Sequence, residues 1–162
     1  MRSEVLIRYY VISIIVLVVD QIVKRLVVVN MKLDQEIPLI PEFIQLTSIR
    51  NRGAAFGILQ NQRVLFILIT VVVLALILIY LKKVYRGNVV LSSGLAFIMG
   101  GALGNFVDRA RKGEVVDMLE FTFINFLVFN VADVFISLGV GLVIIDTLLK
   151  AKRGNRKISS AP

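Results

Sequence analysis

The sequence predicts an all-α polytopic membrane protein, a single domain over residues 1–162, with four transmembrane helices, a small extracytoplasmic β-cradle and a short interfacial helix. Three observations carry this. The chain is 57% hydrophobic, above the roughly 45–50% usual in soluble domains. Its mean hydropathy is +0.85. Its apolar residues fall into four runs, about 9–29, 64–81, 89–107 and 126–145, whereas 10 of the 19 Lys and Arg crowd into the two ends and one short loop.

Composition also narrows the chemistry. The chain has 0 Cys and 0 His, which removes disulfides, thiol nucleophiles, imidazole bases and the usual zinc ligands. Neither a metal nor a cofactor is expected. Carboxylates, lysines and tyrosines remain for acid and base work. A net charge of +8 distributed around apolar spans reads as a topology signal and an attraction to anionic membrane lipids, not to nucleic acid.

The first span follows Arg2 and Arg8. It lacks a small-residue cleavage site; Asp20, Gln21, Lys24 and Arg25 come instead, so it reads as an uncleaved helix. Asp20 and Lys24 are one turn apart on one face and can pair, either as a structural ion pair or as part of a site. In the connection 30–62, Pro38 and Pro41 exclude a regular helix, Phe43 to Ile49 reads as a short strand at the membrane face, and Ala54 to Leu59 as the interfacial helix. Gly53 and Gly57, just before and within that helix, suggest a moving gate.

Val64 to Leu81 is an uncharged run of 18 residues, about 27 Å of helix, enough to cross a hydrocarbon core. A loop rich in Lys82, Lys83 and Arg86 leads to the third span. There Gly100 and Gly104 form a small-xxx-small pair for close helix approach, and Gly101, Asn105, Asp108, Arg109 and Lys112 share a face. Residues 113–125 alternate in part and read as a second short strand. In the last span Asn130, Asp133, Ser137 and Gly141 share a face that must look into the bundle. Residues 150–162 read as a basic tail. Four spans put both termini on one side, and the density of Lys and Arg makes that side cytoplasmic. Asn51, Arg109, Asp117 and Asp133 then meet at the outer face.

Polar groups at membrane depth are functional candidates by default. Two carboxylates about 4 Å apart at an effective dielectric near 20 repel by about 4 kcal/mol, on the order of three pKa units. They share a proton, so one can activate water while the other polarises a carbonyl. Asp117, at the end of VVD, and Asp133, near the start of the last span, can be brought together by a strand and a helix end. Asn130 stands three residues before Asp133, the offset of a capping pair. From spacing alone an aspartyl hydrolase competes closely with a small proton-coupled carrier relaying protons through Asp20, Asp108, Asp117 and Asp133. The carrier is expected to show internal repeats, and the two halves of the sequence show none. A scaffold whose polar faces only glue helices leaves the gathering of polar residues at one face without a reason.

The motifs DQIVK, NRGAAFG, GGALGNFVDR, GEVVDML and FNVAD, in this order over roughly residues 20–136, resemble those of prolipoprotein signal peptidase, also called signal peptidase II. The resemblance implies an aspartyl endopeptidase of the bacterial plasma or inner membrane that removes the signal peptide from diacylglyceryl-modified prolipoproteins, cutting before the lipidated cysteine. It matches Asp117 and Asp133 to the catalytic pair. It matches Asn51, Asn105, Arg109 and Asn130 to substrate-binding or site-shaping positions, and Asp20, Lys24, Gly101 and Ala132 to supporting ones. The implied partners are the lipid-modified substrate and membrane lipids, with the four spans of a monomer enclosing the site.

Overall fold

The structure, a computed structural model, describes residues 2–53, 58–124 and 127–159. In chain order the elements are α1 (Arg2–Asn30), β1 (Glu36–Ile40), β2 (Ile44–Asn51), α2 (Arg63–Val84), α3 (Val89–Lys112), β3 (Val115–Phe121) and α4 (Val131–Ser159). Among the described residues α2, α3 and α4 are long and apolar enough to cross a membrane. The sequence expectation of four spans therefore stands at three on this criterion.

The helix α1 buries a stripe that mixes polar and apolar side chains and turns apolar side chains outward. Tyr9, Ser13, Val16, Asp20, Lys24, Val27 and Met31 recur every three or four residues as one buried stripe, while Ile14, Ile15, Val18, Ile22 and Leu26 face outward. In α2 Ile77 and Leu81 are buried, Leu74 and Val84 are half-buried against the same core, and most of the other apolar side chains face out. The helix α3 is central and packs against α1, α2 and α4. Its glycines make this possible: a Cβ on Gly100 would lie 2.6 Å from the Ser13 carbonyl oxygen of α1, and one on Gly101 would lie 2.5 Å from the Ala132 carbonyl oxygen of α4. Asn88 caps its start by accepting from Leu91 N at 3.1 Å. Gly113, at φ 77°, closes its end in the left-handed conformation that glycine tolerates best.

The three strands form an antiparallel sheet in the order β1-β2-β3, with Glu36 opposite Thr47, Ile49 opposite Asp117 and Asn51 opposite Val115. The sequence pointed to two strands. The additional one, β1, holds Pro38, which is tolerated there because β1 is an edge strand with no further ladder to feed. The sheet is seated on the end of α1, where Val116 and Met118 pack against Val27 and Met31.

The last helix differs from the expected span at both ends. It begins at Val131, not 126, because Phe129 forms an antiparallel bridge with Leu119 and holds that stretch against the sheet. It continues to Ser159, through most of the segment read as a tail. The expected interfacial helix falls largely on residues 54–57, which lie outside the described residues; residues 58–61 form turns.

Candidate active site

Strand alternation decides where Asp117 points. Val116 and Met118 turn toward α1, so Val115, Asp117 and Phe121 turn toward a cavity of about 800 Å³. Asn51, opposite Val115, reaches diagonally and donates from Nδ2 to Asp117 Oδ2 at 3.0 Å. Its Oδ1 accepts from Gly53 N at 2.8 Å, which fixes the amide and the turn leaving β2.

Asp133 enters the same cavity from the first turn of α4. Asn130 caps that helix: Asp133 N donates to Asn130 Oδ1 at 3.0 Å, and Asn130 N donates to Asp133 Oδ2 at 3.1 Å. This is a reciprocal capping box, with Asp in the place of the usual Glu or Gln. The same Asn130 donates from Nδ2 to Asp117 Oδ1 at 2.6 Å. One residue thus holds both carboxylates. Asn105, from α3, donates to the remaining Asp133 oxygen, Oδ1, at 2.9 Å. Each of the four carboxylate oxygens receives one N–H.

Arg109 lies one turn beyond Asn105 on α3, donates to the Gly53 carbonyl at 3.1 Å and stacks over the Phe66 ring at 4.7 Å. The cavity is polar at this end, where Asn51, Asn105, Arg109, Asp117, Asn130 and Asp133 converge, and apolar along Val134, Leu138, Leu142 and Ile145 of α4. Its size is that of a ligand pocket, in the range of roughly 300–1,000 Å³. Burial pushes the Asp117 carboxyl up to about 6, aided by the neighbouring Asp133 charge; the hydrogen bonds from Asn51 and Asn130 and the charge of Lys24 oppose the rise.

A family model described as signal peptidase II matches residues 12–149. The chain is 49% identical over 145 residues to a lipoprotein signal peptidase of Brevibacillus brevis strain 47, covering 90% of this chain and 97% of that protein. This chain belongs to the signal peptidase II family. Two solved structures of bacterial membrane enzymes obtained by the in meso method are also similar. One has a TM-score of 0.86 at 34% identity over 90% of both chains. The other has a TM-score of 0.81 at 35% identity, over 87% of this chain and 92% of that one.

In this signal peptidase II family member the supporting positions read from sequence lie directly behind the cavity. Asp20, which is fully buried, accepts from Ala132 N at 2.9 Å and pairs with Lys24 at 2.9 Å. Lys24 also pairs with Asp108 at 2.8 Å and donates to Asn105 Oδ1 at 2.8 Å. Gly101 admits the Ala132 backbone, as described above, and brings α4 against α3. Sequence reading missed Gln21, whose Nε2 donates to Asp20 Oδ2, Asp108 Oδ1 and the Gly104 carbonyl, each at 3.2 Å. It also missed Phe66 beneath Arg109. Gln21 stood inside the DQIVK motif, but its contacts to α3, like that of Phe66, depend on how separate helices cross. Glu120 is bonded elsewhere, accepting from Gln45 at 2.9 Å and Thr47 at 2.6 Å.

Proposed function

We propose that this chain is an aspartyl endopeptidase of the bacterial cell membrane that removes the signal peptide from diacylglyceryl-modified prolipoproteins, cutting before the lipidated cysteine. The observation that carries the reading is the convergence of Asp117 and Asp133 on one cavity through the shared hydrogen bonds of Asn130. Family membership supplies the substrate class. With Cys and His absent from the chain, the carboxylates that line this cavity are the candidates for acid–base work.

In this mechanism the pair shares one proton. The carboxyl that holds it polarises the scissile carbonyl, while the other takes a proton from the attacking water; burial of Asp117, which raises its carboxyl to about 6, favours it for the first role. An apolar substrate excludes water from the cavity and raises Asp117 further. Asn51, Asn105 and Asn130 fix the carboxylates, and Arg109 offers its fork to a carbonyl or head-group oxygen. The apolar floor along α4 receives the hydrocarbon part of the substrate.

The membrane arrangement is part of the proposal. With Ser13, Asp20 and Lys24 turned inward and an apolar face outward, α1 serves as a fourth span. Asn88 donates to Asp146 at 2.7 Å, and Asp146 pairs with Lys150 at 2.7 Å, so the basic α2–α3 turn and the basic end of α4 lie together. That end is cytoplasmic, as are both termini. The sheet and the dyad occupy the opposite, extracytoplasmic end. A monomer encloses the cavity.

The test is cleavage of a diacylglyceryl-modified prolipoprotein by purified protein in detergent with a chelator present. Wild type is expected to cut, and folded Asp117→Asn and Asp133→Asn to be inactive. Near-normal turnover by either variant, or loss of wild-type activity to the chelator, would overturn the reading.

A further inference from the structure

Asn105 serves two neighbours with one amide. Its Oδ1 accepts from Lys24 Nζ at 2.8 Å, and its Nδ2 donates to Asp133 Oδ1 at 2.9 Å. Rotated by half a turn, the amide would set its oxygen against the Asp133 carboxylate and its NH2 against the Lys24 ammonium. Both contacts would then repel. The orientation that serves Asp133 is therefore enforced from two sides, by Asp133 itself and by Lys24 behind it.

Lys24 is 3% exposed and is not among the residues lining the cavity. An ammonium has three N–H donors. Here the ammonium donates to Asn105 Oδ1 and forms ion pairs with Asp20 Oδ2 and Asp108 Oδ2. Two carboxylates already neutralise the charge, so the bond to Asn105 is not needed for pairing. Its consequence lies at Asp133.

We propose that Lys24 is a positioning residue for the aspartyl pair: by occupying Asn105 Oδ1 it aims the Asn105 N–H at Asp133 and holds that carboxylate in its working orientation. The inference rests on the aspartyl reading above. Without Lys24 the Asn105 amide is held from the Asp133 side alone, and the N–H that reaches Asp133 Oδ1 is less firmly placed. Misplacement of a reacting group by about 1 Å costs on the order of 100-fold in rate. Substrate contacts remain, because Lys24 does not reach the cavity.

The experiment measures kcat and KM for detergent-purified Lys24→Met, Lys24→Gln, Asn105→Ala and the double variant Lys24→Met/Asn105→Ala, each normalised to folded protein. Lys24→Met is expected to lose about 10- to 100-fold in kcat with KM within about twofold of wild type. Lys24→Gln keeps an N–H for Asn105 without the charge and is expected to recover most of kcat; a purely structural ion pair would not be rescued in this way. The double variant should be no slower than Asn105→Ala alone, since Lys24 acts through Asn105. Wild-type kcat in folded Lys24→Met, a loss confined to KM, additive losses in the double variant, or a Gln variant as slow as Met would each overturn the proposal. If Lys24→Met does not fold, Lys24→Gln decides alone: near-wild-type kcat supports positioning and deep loss overturns it. Asp117→Asn and Asp133→Asn run alongside. Activity in either sinks the aspartyl reading itself, whereas dead Asp variants with an unimpaired Lys24→Met sink only the role of Lys24.

Discussion

Asn130 performs two separable tasks, and a pair of substitutions tells them apart. As a helix cap it accepts from Asp133 N at 3.0 Å; as a bridge it donates to Asp117 at 2.6 Å. Serine caps about as well as asparagine but is too short to bridge, and alanine does neither. Losing a cap costs about 1 kcal/mol. Removing one partner of a buried hydrogen bond leaves the other unsatisfied and costs about 1–3 kcal/mol, and Asn130 is 1% exposed, so solvent does not replace it. Asn130→Ser should therefore lose the bridge alone and Asn130→Ala about 1 kcal/mol more. For a chain of this size that difference is about 2–4 °C in Tm, measured by thermal unfolding in detergent. Turnover should fall about 10- to 100-fold in both, because Asp117 loses the donor at Oδ1 in both. Equal Tm values for Ser and Ala would refute the cap. Wild-type turnover in Asn130→Ser would refute the bridge.

Two further outcomes follow from the site and its packing. Asp117 binds its proton more tightly when folded, at about 6, than at its ordinary value of 3.8. Its contribution to stability is therefore full below about pH 4 and is lost as pH rises through about 6, by about 3 kcal/mol in all. Asp117→Asn should flatten the dependence of unfolding on pH over that window, and an unchanged slope would count against a buried, protonated Asp117. Gly101→Ala places a Cβ 2.5 Å from the Ala132 carbonyl and 2.8 Å from Ile136 Cγ1, so α4 must shift. About 1–3 kcal/mol of stability is expected to go, with turnover falling because Asp133 rides on that turn. Gly87→Ala, with nothing within 4 Å of its Cβ, should leave both unchanged, and equal behaviour of the two variants would rule out tight packing at Gly101.

Much of the site was legible because it is built from local spacings. Asp20 and Lys24 stand four apart, Asn105 and Arg109 four apart, and Asn130 and Asp133 three apart; each offset alone puts the pair on one face or in one cap. Which way Asp117 turns was not legible, because Val115, Val116 and Met118 are all apolar and only the packing of Val116 and Met118 on α1 separates the two sides. The strand β1 was not legible, because Pro38 argues against a strand unless it is known to lie at an edge, and edges are a property of the assembled sheet. The start of α4 was hidden for a related reason. Residues 126–145 read as one apolar run, and hydropathy does not distinguish Phe129 bonded to Leu119 from Phe129 in a helix. Nor does a loss of apolar pattern mark a helix end, since α4 continues through its Lys- and Arg-rich turns.

The buried charges on α1 and α3 show what the bundle is built to hold. Asp20, Lys24 and Asp108 place two negative charges and one positive charge together, with Asp20 and Lys24 almost sealed from solvent. Such a group seldom adds stability over well-packed apolar side chains, because desolvation offsets the pairing. Its geometry is specific nonetheless. Through Asp20 it takes the N–H of Ala132 and sets the first turn of α4; through Lys24 it sets the amide of Asn105 on α3. Asp133 is held from those two directions, by its own helix and by Asn105. Among the described residues α1 lines none of the cavity, yet it fixes the relation between the two helices that do. An apolar α1 would pack as well against Gly100 and Gly104, but it would leave both the helix start and the amide without a partner. The cost of burying these charges therefore follows from holding one carboxylate in place.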